Sequence, residues 1–184
     1  AGAERIGVAV GVGSQRKAIE DPGMSSTFQV RDVAPSVPLL GNLGAVQLNY
    51  GYGIDECRRA VEMIAADALA LHLNPLQEAL QPEGDGNFTG LLPKIGLIVE
   101  QLEVPVIAKE IGMGLSGEVG RRLVDVGVRI LDTAGTGGTS WARIEAHRAD
   151  DVEIGELFSD WGIPTPDSIQ QLREIPDITI IGSG

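Results

Sequence analysis

With 184 residues, 43% of them apolar and 22% charged, the chain can bury a substantial core, which argues against general disorder. Its formal charge of −12 argues against a nucleic-acid surface, which needs clustered Lys and Arg, so any anionic ligand must meet a few locally placed cations. The single cysteine, Cys57, allows no intrachain disulfide and fits a reducing cytoplasm; with no Cys or His at metal spacing around it, it reads as an ordinary helix residue.

No apolar run approaches the ~18 residues of a membrane span, and the start "AGAERIGVAV" lacks the regions of a signal peptide. A short helical end opens the chain. "RIGVAVGVGSQR" follows as a Val/Ile strand that ends in glycine and polar residues, and "GMSSTFQVRDVAPSV" is expected to wrap the outside before the next strand, "PLLGNLGAVQL". In "GIDECRRAVEMIAADA", Ile54, Ala60, Val61, Ile64 and Ala65 fall near helical spacing, and Asp55 favours the helix N-terminus. The third strand, "ALALHL", runs into a polar stretch. Thereafter a helix in "TGLLPKIGLIVEQLE" leads to the strand "VPVIAKEIG", and a helix in "GEVGRRLVDVG" to "VRILDTAGTGGTS". An irregular segment, a short helix in "TPDSIQQLREIP" and the strand "DITIIGSG" complete the series.

Alternating apolar strands and amphipathic helices indicate an α/β fold with a parallel sheet, either an open doubly wound sheet or a TIM (β/α)8 barrel. Nearly every strand ends in a polar cluster: Ser14 to Arg16, Asn42, His72 to Glu78, Lys109 with Glu110, Thr136 to Ser140, and Gly182 to Gly184. A barrel gathers such ends around one mouth, so the barrel is favoured. About six βα units are present, two strands short of closure. Residues 1–184 are therefore expected to form one TIM-barrel domain, incomplete at both ends.

Each cluster leaves more than one chemistry open. Gly135, Gly137 and Gly138 let backbone approach a ligand, with hydroxyls at Thr136, Thr139 and Ser140, and "IGSG" on the last strand suits a late-strand phosphate site; a plain loop is the alternative. Lys109 could be a Schiff-base nucleophile, an anion partner or a charge beside a cofactor ring, or simply pair with Glu110 or another rim carboxylate. Arg16 could clamp phosphate oxygens or form a rim ion pair. On the third strand His72 and Asn74 are expected to share a face, with Gln77 and Glu78 in the loop beyond Pro75. A histidine and two amides can hold diphosphate oxygens, and a carboxylate can hold Mg2+ that bridges them. Glu78 and Glu145 are acid/base candidates. His147 reads as a solvated helix residue, and no GxSxG or HExxH suggests a hydrolase.

In order along the chain, "GVGSQR", "GNLGA", "HLNPLQEALQPEGDGNF", "PVIAKEIGMGLS", "DTAGTGGTSWARIE", "FSDWGIPT" and "IGSG" together resemble the type 2 isopentenyl-diphosphate isomerases. That resemblance implies a TIM barrel with FMN across its mouth, flavin reduced by NADPH or another donor, and conversion of isopentenyl diphosphate to dimethylallyl diphosphate. It implies flavin contacts from Ser14, Asn42, Lys109, Thr139 and the glycines 135, 137, 138, 182 and 184. Arg16, His72 and Asn74 would hold the diphosphate, Gln77 would lie near the alkene, and Glu78 would bind Mg2+. Gln77 and Glu145 are the catalytic candidates, and a homotetramer or larger assembly is expected. The alternatives are an FMN-dependent 2-hydroxy-acid oxidase or dehydrogenase, which needs a histidine at a late strand end, and a non-catalytic barrel that binds a phosphometabolite.

Overall fold

The computed structural model describes residues 1–148 and 152–184. Its strands are β1 (Val10–Gly11), β2 (Leu39–Gly44), β3 (Ala68–Leu73), β4 (Val106–Glu110), β5 (Ile130–Asp132) and β6 (Thr179–Ile181). They form one sheet in the order β1-β2-β3-β4-β5-β6, every neighbouring pair parallel. A doubly wound sheet reverses direction partway and shuffles its strand order, whereas a barrel wall adds each strand beside the last. The unbroken order is that of a barrel wall. The α/β barrel-type fold with about six βα units is therefore as the sequence suggests.

Nine helices are described: α1 (Gly2–Ile6), α2 (Arg16–Glu20), α3 (Ile54–Ile64), α4 (Pro75–Leu80), α5 (Leu91–Gln101), α6 (Gly117–Asp125), α7 (Trp141–Ala146), α8 (Val152–Leu157) and α9 (Thr165–Leu172). The long ones follow apolar periodicity. In α3 the buried residues are Cys57, Ala60 and Ile64, and in α5 they are Leu91, Ile95 and Ile98, each set one stripe of a helix. Glu56 secures the start of α3 by accepting the Gly53 N–H at 2.8 Å, and the Ser116 hydroxyl caps α6 through Val119 N.

Because side chains alternate along a strand, the sheet has two different faces. Leu43, Leu69, Leu71, Ala108 and Leu131 pack outward against Ile95, Leu123 and Leu172 in the main core. Ala68, Ala70 and Ile107, with Leu40, Ile130 and Ile181 partly buried, form a smaller cluster on the opposite, inner face. Toward the strand C-termini that inner face turns polar, and there the site lies.

Two segments differ from expectation. Residues 75–80 are helix α4 rather than loop, because Pro75 sits at the first helical position, where its missing N–H costs nothing. The stretch expected to be irregular, in which His147 alone reads as helical, holds α7 and α8; α7 buries the small Ala142 and Ala146 and the polar Glu145, while Ile144, Ile154 and Leu157 are exposed, so no stripe of large apolar residues announces a helix. Residues 22–33 do wrap the outside, as short 3₁₀ turns fastened by Arg31 to Ala65 O and the Asp67 carboxylate.

Candidate functional site

Register places Gly44, His72, Lys109, Asp132 and Ile181 side by side in one row across β2 to β6. Parallel partners point the same way, so His72, Lys109 and Asp132 share the inner face at its C-terminal edge. Lys109 Nζ lies 3.3 Å from Asp132 Oδ2 and donates to Glu110 O at 3.1 Å. His72 Nδ1 is 2.8 Å from Asn42 Oδ1, while Asn42 Nδ2 donates to Val12 O at 3.0 Å. That second bond fixes the amide: its oxygen faces the imidazole, so Nδ1 carries the proton and Nε2 of the neutral ring is an acceptor. Burial, and then the neighbouring Lys109 charge, press the His72 pKa down from 6.5 to about 4.

From the end of β3 a hydrogen-bonded chain crosses the mouth. Asn74, only 3% exposed, donates from Nδ2 to Gln77 Oε1 at 3.1 Å and to Glu78 Oε1 at 2.7 Å. Gln77 Nε2 in turn donates to Glu145 Oε1 at 2.8 Å, and Gln81 Nε2 reaches the same oxygen at 2.7 Å. The other Glu145 oxygen takes Arg148 at 2.9 Å, and Arg148 also meets Glu83 at 3.2 Å. In the opposite direction Glu78 Oε2 accepts Asp85 N at 2.7 Å, and the Asp85 carboxylate accepts from Arg16 at 2.7 Å and Gln47 at 2.9 Å. Bonds to Gln47 and Arg16 hold the Asp85 carboxyl below its ordinary range. Arg16 also pairs with Glu20, its helical neighbour one turn on.

Asn74 thus differs from its expected placement. It lies one residue past β3, at the start of α4, and not as a strand residue sharing a face with His72. The Glu78 carboxylate beside Nδ2 fixes the amide orientation, leaving Asn74 Oδ1 buried with no partner among the described residues. The free atom is an acceptor, which suits a cation or a hydroxyl and not a diphosphate oxygen.

The glycine-rich segments meet at the ends of β5 and β6. A Cβ on Gly137 would stand 2.9 Å from Gly184 C, whereas one on Gly138 meets nothing within 4 Å. Gly137, Gly138 and Thr139 are exposed. Together with Thr136 and Ser140 the turn borders a small polar recess of ≈ 230 Å³. Gly135 answers to packing: a Cβ there would stand 2.6 Å from Thr165 N and Cα and 2.8 Å from Ile163 O. Gly135→Ala is accordingly expected to cost about 3 kcal/mol of stability by overpacking against backbone, readable as a lowered urea midpoint with unchanged m-value. A Cβ on Gly182 would stand 3.0 Å from Ile169 Cδ1, and Ser14 is exposed beside β1.

No family model matches the chain. Curated relatives do: isopentenyl-diphosphate delta-isomerases of Synechocystis sp. at 54% identity, covering 99% of this chain and 53% of that one, of Nostoc sp. at 52% with the same coverage, and of Rickettsia rickettsii at 52%, covering 99% and 54%. Over nearly its whole length the chain is similar to these isopentenyl-diphosphate delta-isomerases. It spans about half the length of the curated relatives it matches. Among solved structures it is similar to mandelate oxidase with (S)-2-phenylpropionate (16% identity, TM-score 0.38, 95% of this chain and 63% of that one) and to phosphonopyruvate hydrolase with oxalate and Mg++ (15%, 0.40, 98% and 78%), likenesses too loose to bear on its chemistry.

Several polar residues of the chain serve its fold. Glu110 points outward, and one of its oxygens accepts the N–H groups of Ile111, Gly112 and Met113 at 2.6, 2.8 and 2.6 Å; burial raises its pKa against those bonds. Gln15 is fully buried, donating to Ala60 O and accepting Asn42 N, a clamp between β2 and α3. Cys57 is buried, its thiol pKa pushed up to about 12, and His147 is exposed at the end of α7, both as expected. A cavity of ≈ 820 Å³ lies on the helical side among Leu73, Leu91, Ile95, Val119 and Leu123. Sequence reasoning missed Asp132, Gln81 and Gln47. Asp132 could have been found by counting the alternation from Ile130. The two glutamines carry no comparable signal.

Proposed function

We propose that the protein interconverts isopentenyl diphosphate and dimethylallyl diphosphate as a type 2, FMN-dependent isomerase, with Mg2+ on the diphosphate and NADPH or another donor reducing the flavin. The observation that carries this reading is the joining of Asn74, Gln77 and Glu78 of "HLNPLQE" with Arg16 and Glu145 in one network at the end of β3, in a chain 54% identical to a curated isomerase.

The residues fit both groups. Each Glu78 oxygen accepts one hydrogen bond and keeps a lone pair, and the amide that donates to it, Asn74, carries an Oδ1 without a partner among the described residues. Two oxygen ligands with a shell completed by phosphate and water are a usual set for Mg2+. For the flavin, Lys109 offers an ammonium on the inner face, and the exposed Gly137–Thr139 turn offers backbone to a phosphate.

Protonating an unactivated alkene creates a tertiary carbocation, so the site must deliver a proton to one face, support the positive charge and exclude water. Reduced FMN, when bound, supplies an electron-rich ring able to exchange the proton. Lys109 balances negative charge near that ring by Coulomb attraction. Gln77, its amide turned by Glu145, lies near the alkene. Arg16 exchanges Asp85 for phosphate oxygens. His72 engages the diphosphate as the protonated ring, Nδ1–H remaining on Asn42 and Nε2–H facing the anion. Asn74 joins Glu78 on the cation. The assembly would be a cytoplasmic homotetramer or larger.

Titrating the protein with FMN tests the cofactor: perturbed flavin absorption bands and quenched emission are expected, and Lys109→Met should weaken binding by about tenfold, the worth of one charged contact. Unperturbed flavin spectra at saturating protein would contradict the reading.

A further inference from the structure

Asp132 has no part in the chemistry above, yet it is the carboxylate in the row of inner-face residues and only 8% exposed. Removing a carboxylate from water is costly unless it is paired and hydrogen-bonded. Here one oxygen faces Lys109 Nζ at 3.3 Å, and the other accepts Ala134 N at 3.3 Å and the Ser183 hydroxyl. Ser183 is itself held, its N–H donating to Thr133 Oγ1 at 3.3 Å. The junction of β5 and β6 thereby fixes the carboxylate before any ligand arrives.

Lys109 has no such frame of its own. A lysine ammonium rides on four flexible carbons, and besides Asp132 its described partner is the carbonyl of the next residue, Glu110, at 3.1 Å. Without Asp132 the ammonium would be free to swing toward solvent or toward His72, its register partner on β3. We propose that Asp132 is the positioning residue of Lys109, holding the ammonium at the mouth of the sheet in the place where it meets the cofactor ring. This rests on the reading of Lys109 as a flavin contact. It also assigns Ser183, in "IGSG", a role behind Asp132 in addition to any phosphate contact of the glycines around it.

A double-mutant cycle on FMN affinity separates positioning from general support of the fold. Wild type, Asp132→Asn, Lys109→Met and the double variant are titrated by flavin fluorescence. Each single change is expected to weaken binding about tenfold, and the double variant should bind no worse than Lys109→Met, because Asp132 acts only through the lysine. Losses that multiply to about a hundredfold would overturn the proposal. A second readout needs no flavin. In protein with 13C-labelled lysine, the two ε-methylene protons of Lys109 should be inequivalent in wild type and merge in Asp132→Asn; an unchanged signal would overturn the proposal. Should wild type bind no FMN, the flavin reading fails, and the lysine signal alone decides the role of Asp132.

Discussion

Replacing Glu145 with alanine is expected to destabilise the protein by about 3 kcal/mol and to cut turnover by about a hundredfold in whatever protein retains its fold. The side chain is 1% exposed and accepts three donors, from Gln77, Gln81 and Arg148. Arg148 is half in solvent, so losing its partner costs little there. The two glutamine amides would lose a charged acceptor beside a buried site, and that is where the cost arises. Gln77 would then be free to turn its amide, which accounts for the loss of turnover. Glu145→Gln tests the distinction: it restores one acceptor oxygen, so it should recover most of the stability while leaving Gln77 poorly oriented. Unfolding midpoints and single-turnover rates measured together decide this. Unaltered rates in a folded Glu145→Ala protein would remove Glu145, and the network through it, from the mechanism.

The second large effect is a loss of stability on acidification, traced to His72. Its folded pKa, about 4, lies below its ordinary value of 6.5. In that window the unfolded chain binds a proton that the folded protein refuses, so stability rises with pH. The contribution is complete above pH 6.5 and is lost as pH falls toward 4, a total of about 3 kcal/mol at ~1.4 kcal/mol per pH unit. Lys109 and Asn42 face the ring directly, and Asp132 partly offsets the Lys109 charge. Urea unfolding of wild type and His72→Asn from pH 7 to 4 should show a flatter curve for the variant by that amount. Parallel curves would contradict the assigned ionisation. A bound diphosphate should reverse the balance, raising the ring pKa and drawing a proton on binding.

The strands and their order were legible because each is a short Val, Ile, Leu or Ala run bounded by glycine or polar residues, as in "ALALHL" and "PVIAKE". The direction of the site was legible too: polar residues follow the strands at one end only, and a sequential parallel sheet brings those ends together. What stayed hidden depends on partners distant in sequence. Nothing near Asn74 says that its amide Nδ2 is taken by Glu78, so its availability to a diphosphate could not be judged. Gln15 and Ser14 look alike as rim residues, but one is a buried clamp and the other is exposed. Asp132 looks like the start of a loop until register sets it beside Lys109. The short helix α4 was masked by its proline, which reads equally as a break or as a first helical turn.

The central claim is that these residues serve an isomerisation that needs reduced flavin and a divalent cation without consuming reductant. The direct measurement is the conversion of labelled isopentenyl diphosphate by purified protein supplied with FMN, with and without dithionite and with Mg2+ or a chelator. Dimethylallyl diphosphate should form over many turnovers only when reductant and Mg2+ are both present. Equal conversion by oxidised or flavin-free protein, or none under the complete condition, would contradict the account.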